Sequence, residues 1–217
     1  MIWDLLFAHF LGDFLLQTDW IARKKGNFWV LGLHVAIVFA LMFLLVGDVR
    51  ALIWPYLLFI AVTHLVQDRG KILLTKWNQR ARVAFFFLDQ LLHIVIILGV
   101  LAWFNMQHGP LPASDKPYWA IIGLVLLLVT NVWFITERVI YADNIGYVES
   151  INETKHPRML SRAVLTGLFF LLSLWVFPGL AFLYQAPYPY SSYQKRALLT
   201  DMCVSVFGVL LLLWALG

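Results

Sequence analysis

Residues 85–100 read FFFLDQLLHIVIILGV, and the reading of this stretch decides the fold. Without Asp89, Gln90 and His93 it would pass as lipid-facing helix. Asp89 and His93 are four positions apart, which on an α-helix stacks both side chains on one face about 6 Å apart along the axis. The pairing recurs. HFLGD carries His9 and Asp13, HLVQD carries His64 and Asp68, and LGLHVAI adds His34. Four of the six histidines are used in this way.

Composition sets the solvent. The chain has 217 residues, 62% hydrophobic and 13% charged, with mean hydropathy +0.80. Soluble domains carry roughly 25% charged residues. At about 20 apolar residues per crossing there is room for six or seven spans and no separate soluble domain. The expected fold class is therefore all-α, a polytopic membrane helix bundle of about seven transmembrane helices. The helices are expected at about 2–22, 28–47, 51–68, 83–105, 118–140, 161–184 and 197–216. They form a single integral membrane domain over 1–217, with a polar-motif four-helix part at 1–105 and a three-helix supporting part at 106–217. The first span is interrupted by Asp4, His9, Asp13, Gln17 and Asp19. A re-entrant segment is the alternative there, tolerated only where protein or a water-filled cavity covers it. Trp3, Trp20, Trp29, Trp54, Trp77, Trp103 and Trp119 fall at or near the expected span ends, as aromatic belts would place them.

The ends of the chain and its cysteine count narrow the class. MIWDLLFAHF has no basic n-region and no small-residue cleavage site, so it is expected in the mature protein. The single Cys203 excludes an internal disulfide and any multi-cysteine metal site. Lysine and arginine sit in short loops with no run long enough to track phosphates, so no nucleic-acid partner is expected.

Those basic residues set the orientation. Arg23, Lys24 and Lys25 follow the first helix, and Arg69, Lys71, Lys76, Arg80 and Arg82 follow the third. Arg138, Lys155, Arg158 and Arg162 surround the connection after the fifth. The opposite connections hold only Arg50, then Lys116, then Lys195 with Arg196. The N-terminus is expected outside and the C-terminus inside. In that orientation the histidines and aspartates of the first four helices converge on one layer in the cytoplasmic leaflet. A 55-residue offset relates His9 to His64, Asp13 to Asp68 and His34 to Asp89, consistent with a tandem hairpin repeat in helices 1–4. Three matches at one offset also arise by chance.

An aspartate at the centre of a membrane helix disfavours insertion by about 2.5–3.5 kcal/mol, so such groups are usually paired and functional. Histidine with aspartate is an N/O ligand set suited to zinc, iron or manganese. His9, Asp13, His34, His64, Asp68, Asp89 and His93 are the expected metal ligands, more than one four-coordinate ion needs. They suit one or two divalent ions, zinc foremost, with a bridging carboxylate or with Asp–His pairs that fix the imidazole tautomer. Such a site lowers the pKa of bound water to about 7. The bland reading, in which a membrane histidine is an interhelical hydrogen-bond donor, suits any single residue better than it suits the set. Gln17, Gln67 and Gln90 read as packing or supporting groups. Lys71 either snorkels to the headgroups or contacts an anionic substrate.

The C-terminal half is quieter. Asn131 and Thr136 read as helix–helix contacts, and Glu137 and Arg138 as membrane-edge residues. The connection YADNIGYVESINETKHPRML reads as a solvated loop, with a cytoplasmic flap as the alternative. Pro178 and Gly179 should kink or end the sixth helix. There is no Gly-rich phosphate loop, no serine triad signature and no HExxH.

At His9, Asp13, Phe14 and Gln17, at His64, Asp68 and Lys71, and at Asp89, Gln90 and His93, residues 1–105 resemble a bacterial multi-pass membrane family known as domain of unknown function 3307. The resemblance implies a membrane protein and brings no reaction with it. In architecture alone the chain is also similar to metal-dependent hydrolases of bacterial inner membranes and to ceramidase-like zinc hydrolases of seven helices, and fold does not imply function.

The leading expectation is an intramembrane metal-dependent hydrolase of the bacterial cytoplasmic membrane, acting on a lipid or lipid-linked ester or phosphoester. Asp13, Asp68, Asp89 and Lys71 would carry catalysis, one aspartate serving as general base. Arg69, Lys71 and Arg82 would favour an anionic headgroup. The alternatives are a proton- or metal-ion-coupled transporter, a di-iron oxidase, and a non-catalytic scaffold subunit. The oligomeric state, a homo-oligomer included, stays open.

Overall fold

The computed structural model describes residues 1–109, 118–172 and 192–216. Among these the chain is all-α, with no strand. Among the described residues, five helical segments are long and apolar enough to cross a membrane: Phe28–Leu45, Gly47–Trp77, Gln79–His108, Tyr118–Ile140 and Ala197–Leu216. They correspond to the expected second, third, fourth, fifth and seventh spans. The chain divides into two compact units, Met1–Ala120 and Ile121–Gly217.

The first expected span is not one helix. Helix α1 (Ile2–Phe10) runs into a single π-turn (Leu11–Leu15), and α2 (Asp19–Lys24) starts separately. Thr18 is extended and its Oγ1 accepts the Ile21 N–H, so it caps a new helix and ends the old one. From Ile2 to Leu15 the rise is about 21 Å, short of the roughly 30 Å hydrocarbon core. The expected single helix over 2–22 is thus two short helices on either side of a π-turn. The π-turn approaches α3 (Phe28–Leu45) so closely that a Cβ on Gly12 would lie 2.7 Å from Val38 Cγ2. Asn27 opens α3 by accepting the Trp29 N–H at 2.8 Å.

Helix α4 (Arg50–Trp77) extends well beyond the expected end at 68, and α5 spans Arg82–His108. Arg69, Lys71 and Lys76 therefore ride on α4 instead of sitting in a connection, and only residues 78–81 join the two helices. Polar residues after Asp68 did not stop the helix, because Lys and Arg have good helix propensity and their stems cover apolar surface.

One apolar stripe from each helix builds the core of the first unit. It joins Leu5 and Ala8 of α1, Val38 and Met42 of α3, Ile53, Leu57 and Ile60 of α4, and Ile97, Val100 and Phe104 of α5. Helical spacing carries each stripe onward to a polar residue: Leu5 to His9, Val38 back to His34, Ile60 to His64, Ile97 back to His93. A further four positions reach Asp13, Asp68 and Asp89. The polar cluster thus terminates the core and shares its buried face.

In the second unit, α6 (Tyr118–Leu127), a π-turn (Leu128–Val132) and α7 (Trp133–Ile140) make one rod. Then come α8 (Ile145–Glu153), α9 (Lys155–Leu172) and α10 (Ser192–Leu216). The connection expected as a loop is therefore mostly helical. Asn144 caps α8 by accepting the Tyr147 N–H at 3.1 Å, and Ile151 and Tyr147 bury one of its faces. The α9–α10 core joins Leu165 and Phe169 to Val209. Gly208 lets α10 meet the π-turn, since a Cβ there would lie 2.6 Å from Val129 Cγ1.

This unit also corrects the expectation of few buried charges. Glu137 is not at an edge but buried, together with Arg162 and Asp201. Arg158 Nε and Nη2 donate to Asp201 at 2.9 and 2.7 Å, and Arg158 Nη1 lies 3.0 Å from Glu137 Oε2. Arg162 Nη1 donates to Asp201 Oδ1 at 2.7 Å, while its other nitrogens take the Val129 and Thr130 carbonyls of the π-turn. A π-turn frees backbone acceptors that a regular helix would consume, and the guanidinium satisfies them. Tyr147 Oη donates to Glu137 Oε1 at 2.6 Å; burial and that hydrogen bond push its phenol above the ordinary tyrosine range. The expected kink at Pro178 and Gly179 and the side chains of Lys116, Lys195 and Arg196 lie outside the described residues.

Candidate metal centre

All seven expected ligands come together, and all are buried. Asp13 Oδ1 lies 3.1 Å from His34 Nε2 and 3.4 Å from His64 Nε2, and the two imidazole nitrogens are 3.2 Å apart. Asp68 Oδ2 is 3.6 Å from His34 Nε2 and 3.7 Å from His64 Nε2. These are five of the six separations among the four atoms. Ligand atoms around a zinc ion at about 2.0–2.1 Å stand about 3.3 Å apart. Both imidazoles, from α3 and α4, thus lie near zinc-ligand spacing from each other and from the two aspartates of the α1 π-turn and α4.

Beside them Asp68, Asp89 and His93 form a second group whose donor atoms lie within 4.8 Å of one another. His93 Nδ1 donates to the Asp89 carbonyl at 2.6 Å, which leaves Nε2 with the lone pair. Nε2 has no hydrogen-bond partner, and neither has Asp89 Oδ1. The other Asp89 oxygen accepts from Lys71 Nζ at 2.6 Å and from Gln90 Nε2 at 3.1 Å. Those two donors orient the carboxylate and turn its bare oxygen inward. His9 Nε2 is 3.9 Å from Asp13 Oδ2, its ring stacks on His93 at 4.9 Å between centroids, and it also lacks a partner.

The unpartnered atoms are the fit test for a metal. Asp13 Oδ1, Asp89 Oδ1, His9 Nε2 and His93 Nε2 are buried without hydrogen bonds. Each such group costs about 1–3 kcal/mol. Imidazole nitrogens and carboxylate oxygens facing one another with their lone pairs are stabilised by a shared cation and by little else.

Lys25 was missed. In the sequence it reads as one of three basic residues in a loop, whereas in the structure it is buried and donates to Asp68 Oδ2 at 2.8 Å. The signal available was the need itself: three buried aspartates require counter-charges, and the residue that follows α2 supplies one. Lys71 supplies the other, so its ammonium is engaged with Asp89 and only its stem is half-exposed. Arg69 is exposed and donates to the Gly26 carbonyl at 3.0 Å, tying α4 to the start of α3. Arg82 is the first residue of α5 and half-buried.

These features define an all-α membrane protein with a buried histidine–aspartate centre. The chain belongs to the family described as Protein of unknown function (DUF3307), which it matches over residues 1–114. That match contains every residue of the centre. No curated protein and no solved structure matches the chain.

Proposed function

We propose that this protein is an intramembrane metal-dependent hydrolase of a lipid or lipid-linked ester or phosphoester, working at the cytoplasmic leaflet of a bacterial inner membrane. The observation that carries the reading is the convergence of two carboxylates on two imidazoles: His34 Nε2 and His64 Nε2 are 3.2 Å apart, and each lies 3.1–3.7 Å from both Asp13 Oδ1 and Asp68 Oδ2. A divalent ion there would polarise the ester and bring bound water to a pKa of about 7. Zinc suits this N/O set best, with iron and manganese as the other candidates.

The chain's own groups divide the remaining work. Asp13 would hold an ion through Oδ1, leaving Oδ2, 3.9 Å from His9 Nε2, to accept a proton from the attacking water. His9 would then relay that proton to the leaving oxygen, a role open to an imidazole whose Nε2 has no hydrogen-bond partner. Lys25 and Lys71 keep Asp68 and Asp89 ionised and oriented. The basic end residues Arg69, Lys76, Arg80 and Arg82, beside Trp77, suit a headgroup layer with anionic lipid.

The test is release of product from phospholipid, ceramide and polyprenyl-phosphate substrates in mixed micelles, with Asp13→Asn as control. Metal-dependent turnover of one class, lost in Asp13→Asn, supports the reading. Zinc-loaded, folded protein that turns over none of them, yet carries zinc across liposome membranes, would replace it with a transporter.

A further inference from the structure

Of the three donor groups in the centre, Asp68 belongs to two, the one with His34 and His64 and the one with Asp89 and His93, while the third joins His9, Asp13 and His64. We infer that the centre is dinuclear and unequal: a closed, tightly held ion among Asp13, His34, His64 and Asp68, and an open, weakly held ion among Asp68, Asp89 and His93, with the Asp68 carboxylate shared. The inference rests on the metal reading above and deepens it by assigning which residues hold which ion.

Geometry gives the first reason for the inequality. The first group offers four donors, and each imidazole Nε2 lies within 3.7 Å of the other and of both carboxylates. The second offers three donors within 4.8 Å, so it must contract on binding and leaves at least one coordination position to water or substrate. A closed four-ligand set is the mark of a tightly held ion, and three protein ligands with an open position are the mark of a reacting one.

Charge gives the second reason. The buried carboxylates of Asp13, Asp68 and Asp89 face the ammonium groups of Lys25 and Lys71, so with neutral imidazoles the cluster carries one net negative charge. The first divalent ion reverses that sign. The second binds into an already positive site of low dielectric and is held less tightly. The doubly loaded centre is strongly cationic, and it favours the phosphoester over the neutral ester among the proposed substrates.

A third observation concerns preparation of the second site. His93 Nε2 and Asp89 Oδ1 are both unpartnered, and their other polar atoms are fixed by the Asp89 carbonyl, Lys71 and Gln90. Such outer contacts orient ligands for an ion. A packing role would leave no reason to keep these two atoms bare.

The test is a zinc count by elemental mass spectrometry on the full-length detergent-purified protein, equilibrated over a series of buffered free zinc concentrations. Wild type should reach two equivalents, the second half-filled at a free zinc at least about tenfold above the first. His93→Gln and the isosteric Asp89→Asn should stop at one equivalent with the tight site unchanged. His34→Gln should lose the tight step. Elution profile and thermal midpoint of each variant verify folding. Wild type saturating at one equivalent, or two equivalents persisting in folded His93→Gln and Asp89→Asn, overturns the dinuclear assignment while leaving a mononuclear hydrolase standing. No zinc in folded wild type at any concentration overturns both.

Discussion

Lys25 Nζ donates to Asp68 Oδ2 across 2.8 Å, joining a six-residue helix to the buried face of a 28-residue one. The bond fixes the C-terminal end of α2, whose other end Thr18 caps. A six-residue helix has no independent stability, and its burial of Ile21 alone would be weak. Breaking one side of a buried ion pair costs about 3–5 kcal/mol, because the partner charge stays behind. Lys25→Met should therefore lower the unfolding free energy of the metal-free protein by about that amount. Adding Asp68→Asn should recover part of the loss, as a double-mutant cycle in denaturant would read. Equal and additive losses would show that the pair is not coupled.

His9 separates chemistry from metal binding. In His9→Gln both zinc equivalents should remain while kcat falls by about 10²–10⁴, the usual worth of a positioned acid–base group. Zinc counting and turnover on the same sample check it. A loss of zinc in His9→Gln would make His9 a ligand and move the proton step elsewhere.

Gly12 is set by contact. A methyl group there would meet Val38 Cγ2 at 2.7 Å, and overpacking of this kind costs about 1–3 kcal/mol. Gly12→Ala should lower thermal stability, and Gly12→Ala with Val38→Ala should regain some of it. Because Asp13 is the next residue, the single variant should also weaken the tight zinc step.

The Glu137–Arg158–Asp201–Arg162 cluster holds α7, α9 and α10 around the π-turn. Arg162→Met strands Asp201 and the Val129 and Thr130 carbonyls, and about 3–5 kcal/mol of stability should go with it. Tyr147 adds a pH dependence. Its phenol is raised in the folded state by burial and by the hydrogen bond to Glu137. A raised group contributes stability that is complete below its ordinary value near 10 and is lost as pH climbs above it. The stability gap between wild type and Tyr147→Phe should narrow from about pH 10 upward. A gap that widens there would contradict the assignment.

The histidine–aspartate pairs were legible because helical spacing puts i and i+4 on one face, and the structure brings all three pairs and His34 together. The helices that cross apolar distance were legible for the same periodic reason. The break in the first helix was not, although Gln17-Thr18-Asp19 contained a cap that the apolar flanks concealed. The clamp of the second unit was invisible for a different reason. Glu137, Arg158, Arg162 and Asp201 are dispersed over three helices, and each alone resembles a span-end charge. Pairings at such sequence separations leave no local pattern. Lys25 failed in the same way, as its partner is 43 residues on.

X-ray absorption at the metal edge of the purified protein tests the central claim most directly. The account predicts an ion in a shell of nitrogen and oxygen only, at about 2.0–2.1 Å, with imidazole outer scattering that weakens in His64→Gln. A folded protein without metal, or a shell containing sulfur from Cys203, would contradict it.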